Sequence, residues 1–334
     1  MRKKFLSPAL CALAAGICCL VFGSTAHAAK TSDLTGLPVS DTVYARRPIA
    51  VMYDNSSAAQ PQSGLSSADI VYEAYAEGSV TRLMAVFENY DSLTRIGPLR
   101  SCRDYFIHWA CEYDPIFLHY GGPDLYVKTY YELPQLNNLN GTRMEGTASY
   151  RVNDRKAPHN AYTGASYIQK GVRAAGYASS HTQYYQGAHF LFSSGPALTP
   201  SQGVSATRVA PGFTTTAPEF VYSAEDGKYY RSQYKKAHRD RETGTQLCYE
   251  NLIIQYTDTI VRDKQGYLYL TTLDSGKPGW FIANGRAIPV TWIKDSLTGV
   301  TRYYDASGNQ IRLNPGKTFI SVLPSDQAEN TKIS

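Results

Sequence analysis

Pro48-Ile-Ala-Val-Met-Tyr-Asp-Asn55 is a short apolar run that stops on two polar residues. It reads as a buried strand whose carboxyl end presents Asp54 and Asn55 towards a crevice, or starts an Asx turn there. Outward from it, Asp69 to Ala76 and Thr81 to Glu88 each alternate apolar and polar residues, and Gly78 between them marks a hairpin. A helix is predicted from Ser101 to Tyr113, with Ser101 as N-cap and Asp104 as its acidic partner three residues on. Pro115 ends that helix ahead of a strand from Ile116 to Tyr120. Further helices are predicted over 123–133 and 165–175, the latter stopped by Gly176, with a polar loop over 137–160 between them. Strands alternating with helices predict an α/β or α+β N-terminal domain over 40–193, built on a mixed sheet.

The composition changes near residue 200. Thr, Tyr, Val and Ile dominate, and turn signals such as Glu225-Asp-Gly227 and Asn284-Gly285 recur, so a β-rich antiparallel C-terminal domain is expected over 219–325. The Ser-, Thr-, Gly- and Pro-rich segment 194–218 reads as a linker or crossover, and the last ten or so residues as a disordered tail.

The chain opens with Arg2, Lys3 and Lys4, an apolar run and Ala26-His27-Ala28, which together read as a signal peptide over 1–28 and an exported protein, secreted or wall-associated. Cys11, Cys18 and Cys19 follow Leu10, Ile17 and Cys18 where a lipid-acceptor cysteine needs a small residue before it, so no lipid anchor is expected. No later run is long enough to span a bilayer. Removing residues 1–28 leaves 30 basic and 28 acidic residues among about 306, a net charge of +2 in place of +5. Bulk attraction to nucleic acid or anionic lipid is therefore not indicated, and any anion site must be local. If 101–113 is helical, Cys102 and Cys111 sit about 13.5 Å apart on opposite faces and cannot pair. Cys248 bridged to one of them, or three free thiols, both remain open.

The motifs Arg47-Pro-Ile-Ala-Val-Met-Tyr-Asp-Asn55, Pro61-Gln-Ser-Gly-Leu-Ser66, Ala68-Asp-Ile-Val-Tyr-Glu73, Glu77-Gly78, Thr81-Arg82, Ile96-Gly-Pro-Leu-Arg-Ser101 and Lys156-Ala-Pro-His-Asn160 together resemble the YerB-like bacterial envelope family, a domain of unknown function (3048). Tyr230-Arg231, His238-Arg-Asp240, Asn251 and Trp292 resemble that family's C-terminal domain. The resemblance implies export, a two-domain layout and often a lipid anchor, and it carries no established reaction.

Arg95, Arg100 and Arg103 flank a Gly-Pro turn, and arginine forks suit carboxylate or phosphate. The rival role for them is pairing with Asp69, Glu73, Glu77 and Asp104. The leading expectation is an anionic or glycan-derived cell-wall ligand in an N-terminal cleft, with Arg82, Arg100 and Arg103 holding charge. Asp54, Asn55 and His159 would orient polar groups, and Ser101 and Asn160 would line the site. The alternative is an envelope hydrolase or transferase using Asp54, Glu77 and His119 or His159. Glu73 and Glu77 would lie about 13 Å apart in an extended segment, too far for a glycosidase pair on their own. A third reading is a protein-interaction module with an envelope partner. No H-x-x-x-H or H-x-H spacing, phosphate loop, dinucleotide fingerprint or G-x-S-x-G elbow occurs, so no metal or cofactor is expected.

Overall fold

In a computed structural model of the chain, residues 30–199 and 201–334 are described. The predicted signal peptide and Cys11, Cys18 and Cys19 lie outside the described residues. The fold is α+β, with a large mixed sheet and mostly antiparallel strands in the C-terminal part. In chain order the principal strands are β1 (Ile49–Asp54), β2 (Ile70–Glu77), β3 (Val80–Phe87), β4 (Ile116–His119) and β5 (Asn137–Asn140). They are followed by β6 (Glu219–Ser223), β7 (Lys228–Gln233), β8 (Asn251–Thr257), β9 (Asp274–Ala283), β10 (Arg286–Lys294) and β11 (Thr318–Pro324). The main sheet runs β10-β9-β8-β11-β2-β3-β1-β4-β5, extended beside β10 by Val204–Ser205 and Arg302–Tyr304.

The strand β11 explains this continuity. It is buried throughout and inserts parallel to both β8 and β2, so the two halves of the chain share one sheet and one apolar core rather than two separate cores. A second sheet is built on β6 and β7 and covers the first, with Phe220 and Tyr249 packed on Phe319 of β11. The tail is ordered against expectation: Lys332–Ile333 pairs with Val209 and Ala210 of this sheet.

The hairpin at Gly78 (φ +50°) joins antiparallel β2 and β3 as expected, and the helix α2 (Ala165–Ala175) ends at Gly176 in the left-handed conformation. The helix predicted from Ser101 needs correction. Its α-helical part, α1, is Asp104–Ala110, followed by a 3-10 turn over Cys111–Tyr113. The N-cap residue is Arg103, without a side-chain cap, while the Ser101 hydroxyl donates to Tyr120 O at 3.1 Å. The chain before α1 is irregular but tied to β1 by an isolated bridge at Leu99: Asp54 N–H donates to Pro98 O at 2.9 Å and Arg100 N–H to Met52 O at 3.0 Å. Residues 123–133 form only a short helix, Asp124–Val127, and a 3-10 turn, Lys128–Glu132. The expected loop 137–160 begins with the strand β5. All three described cysteines are free, and Cys102 and Cys111 are buried.

Candidate functional site

Strands β1, β4 and β5 are parallel, and β2 runs the same way because it is antiparallel to β3, which is antiparallel to β1. The carboxyl ends Asp54, Glu77, His119 and Asn140 therefore share one edge of the sheet with Arg82, which lies near the start of β3 opposite Asp54. Strands β1 and β4 pair only over their first residues, and Pro98–Arg100 wedges between them, its Arg100 O accepting from Tyr120 N–H at 3.0 Å. Gly97 permits the turn into this wedge: its φ is +142°, and a Cβ there would lie 2.9 Å from the Tyr162 ring. Ala161 and Thr163 bond back to Leu99 and Ile96, which brings His159 alongside Asp54.

Asp54, with a side chain at 0% exposure, lies 2.7 Å from His159 Nδ1 through Oδ2, and 3.2 Å from Arg100 Nε. Burial pushes the Asp54 carboxyl up, but the Ser56 backbone N–H, the Arg100 charge and the His159 hydrogen bond together hold it below its ordinary value. It is thus a carboxylate, and His159 Nδ1–H donates to it. Arg82 is 4% exposed and its guanidinium makes no hydrogen bond among the described residues. The nearest carboxylate to it is Glu77, at 3.7 Å. Burial, with the repulsion of Arg100, pushes the Arg82 guanidinium down to about 10.

Glu77 borders this cluster and also pairs with Arg103. Arg103 lies over the Tyr267 ring at 5.3 Å, and Tyr267 itself bridges Glu77 through the backbone. Tyr267 and Arg262, which pairs with Asp104, come from a hairpin of the C-terminal half. No local sequence signal marks them, because their role depends on contacts across more than 150 residues of chain.

The remaining candidates lie elsewhere. Arg95 turns away to Asp154, at 2.9 Å, and to the Tyr162 ring. His119 is fully buried between Phe117 and Tyr131, and its Nδ1–H donates to Gly121 O at 2.8 Å. Burial pushes this imidazole down to about 4, so it stays neutral within the sheet layer. Asn160 is held by Arg151 Nη1 at 2.6 Å beside the cluster.

Asn55 faces the opposite side of the sheet from Asp54. Its amide donates to Glu73 Oε1 at 3.0 Å and to Thr81 Oγ1 at 2.8 Å, and accepts from Gln233 at 3.1 Å. Glu73 in turn pairs with Arg231 at 2.7 Å, both side chains at 0% exposure. Arg231 meets His238 Nδ1, whose Nε2–H donates to Gln62 Oε1 at 2.7 Å. This chain of bonds fastens the C-terminal half to the N-terminal half, and it separates Glu73 from Glu77 as a catalytic pair. Among the described residues no group of three or more His, Cys, Asp and Glu could hold a metal, and no helix is long and apolar enough to cross a membrane.

One sheet is thus shared by two segments and carries a polar cluster at its carboxyl edge. Residues 34–178 match the family described as protein of unknown function (DUF3048) N-terminal domain, and residues 209–320 its C-terminal domain. The chain belongs to this family. It is similar to the putative lipoprotein YerB of Bacillus subtilis, 34% identical over 296 residues that cover 88% of this chain and 86% of that protein. The crystal structure of YerB from Bacillus subtilis matches it with a TM-score of 0.80 at 31% identity, covering 91% of this chain and 99% of that one.

Proposed function

We propose that this is an exported cell-envelope protein that binds an anionic, cell-wall-derived ligand at the carboxyl edge of the main sheet. The observation that carries the reading is Arg82: a buried guanidinium without a hydrogen bond is costly, and a second guanidinium, Arg100, stands beside it. An anion between the two would supply the missing acceptors, and the ionised Asp54 would hold His159 at the rim to orient it. The name of the relative, putative lipoprotein, supports export, and it counts against the expectation of a chain without a lipid anchor.

Calorimetric titration of the purified mature chain with glycerol phosphate and with soluble cell-wall fragments tests this reading. Binding by the wild type that Arg82→Met removes, in a variant that stays folded, is the expected result. Unchanged binding by that variant overturns it.

A second reading, hydrolase or transferase chemistry, is favoured by one observation: an ionised, buried Asp54 fixes the His159 tautomer with Nε2 as the accepting nitrogen, the arrangement of a general base. Product release from cell-wall fragments, lost in both Asp54→Asn and His159→Ala, is its signature. Intact fragments after prolonged incubation with the wild type would eliminate it.

A further inference from the structure

The loop Ser56–Pro61 forms one wall of the anion cluster and also one wall of a second feature. Ser56 N–H donates to Asp54 Oδ1 at 2.9 Å and its hydroxyl lies 3.4 Å from His159 Nδ1. Its neighbour Ser57, one Cα step of about 3.8 Å further on, lines a groove of about 400 Å³ with Gln60, Pro61, Tyr234, Lys236 and Arg239. No carboxylate lines this groove. Lys236 lines this groove, while Lys235 beside it faces the adjoining groove that also holds Glu219; neither lysine side chain makes an ion pair or hydrogen bond among the described residues, and the Arg239 side chain donates only to Gly244 O, at 2.9 Å. Arg155 braces the shared loop by donating to Ala58 O at 3.1 Å and to Pro61 O at 2.6 Å.

The lysines sit on an unfavourable turn. Gln233 pairs with Lys236 across a two-residue hairpin, and both central residues are left-handed, Tyr234 at φ +51° and Lys235 at φ +58°. Such a turn prefers Asn-Gly, because side chains beyond Cβ crowd the backbone there. Tyr234 compensates by donating its hydroxyl to Asn55 O at 2.8 Å. Lys235 has no such contact, so nothing within the fold explains a lysine at that place. Backbone strain retained without an internal partner points to a use outside the fold.

We propose that this groove is a second anion subsite, and that the ligand of the carboxyl-edge cluster is a linear polymer of repeating phosphodiester charges rather than a lone anion. The inference rests on the anion-site reading above. The two arginines of the cluster grip one charged group as forks, whereas the lysines act as point charges on phosphates further along a flexible chain. The near-neutral mature chain lacks the broad positive field that would draw nucleic acid.

The test is calorimetric titration of the mature chain at several ionic strengths with two probes, glycerol phosphate and a poly(glycerol phosphate) oligomer. The wild type should prefer the oligomer, and the preference should shrink as salt rises. The double variant Lys235→Asn with Lys236→Ser should bind glycerol phosphate as the wild type does and lose about tenfold or more for the oligomer. Asparagine suits the left-handed turn, so Lys235→Asn alone should keep or raise the thermal midpoint, which separates loss of binding from loss of fold. Oligomer binding unchanged in the double variant, with glycerol phosphate still lost in Arg82→Met, overturns this inference alone. Glycerol phosphate binding that survives Arg82→Met overturns the anion-site reading beneath it.

Discussion

Arg82 and Arg231 are both arginines buried against the main sheet, one on each of its faces, and the fold treats them in opposite ways. Arg231 is paired with Glu73 at 2.7 Å and with His238, while Gln62, Thr81 and Asn55 complete the network around them. The Arg82 guanidinium has no hydrogen bond among the described residues and only the distant Glu77, at 3.7 Å. Arg231, engaged through both terminal nitrogens though its buried Nε has no partner, fastens elements together, whereas Arg82, short of acceptors, is the one proposed to take a ligand. The same physical rule separates the brace from the proposed site, and it does so where residue type alone cannot.

The sharpest way to break this contrast is to remove the paired arginine, Arg231. Arg231→Met leaves the Glu73 carboxylate buried beside Asn55 and Thr81 without its cation, and should cost roughly 3–5 kcal/mol in denaturant unfolding. A loss well under 1 kcal/mol would mean that the brace holds little.

Glu112 extends the comparison to a second closed network. It lies 3.1 Å from Lys294 and 2.9 Å from His189, and accepts from Thr301 N–H at 2.9 Å. Burial alone would raise this carboxyl, but the Lys294 charge and the hydrogen bonds from His189 and Thr301 hold it at about 2, against an ordinary 4.5. Its folded value is depressed, so its stabilisation is fully present above pH 4.5 and is lost as pH falls towards 2, about 3 kcal/mol in all. Glu112→Gln should accordingly unfold at a lower temperature than wild type at pH 7, and the gap should close as pH is taken from 4.5 to 2. A gap that stays constant with pH would contradict the ionised pairing.

Asn55→Ala should cost about 1–3 kcal/mol, since it strips partners from Glu73, Gln62 and Gln233 in a buried setting. Arg82→Met should have the smallest effect on folding, within about 1 kcal/mol, because it removes a charge whose burial no hydrogen bond repays. Thermal unfolding of the two variants side by side checks both.

Much of the fold was legible from local pattern. The apolar run to Tyr53, the hairpin about Gly78 and the helix α2 closed by Gly176 each follow from a period or a punctuating residue. Ser101 with Asp104 also fits a helix start. The fold overrides that pattern because Pro98 and Arg100 are already bonded to β1 and the Ser101 hydroxyl is turned to Tyr120 O. The motifs Pro61–Ser66 and His238–Asp240 were visible as motifs, but their purpose was not. They meet each other across roughly 175 residues of chain, as in Gln62 to His238 and Ser66 N–H to Asp240 at 2.8 Å, and no local period encodes that. Asp54 and Asn55 looked equivalent in the sequence. Neighbouring residues at a strand's end point to opposite faces, and the two are thereby divided between the proposed site and the brace.

The central claim is that Arg82 is kept for an anion and Arg231 for the fold. Glycerol phosphate titrated calorimetrically into Arg82→Met, with the unfolding midpoint recorded on the same sample, tests it most directly. The account predicts a wild-type midpoint and no binding; wild-type affinity in that variant, or a collapse of its midpoint, would contradict it.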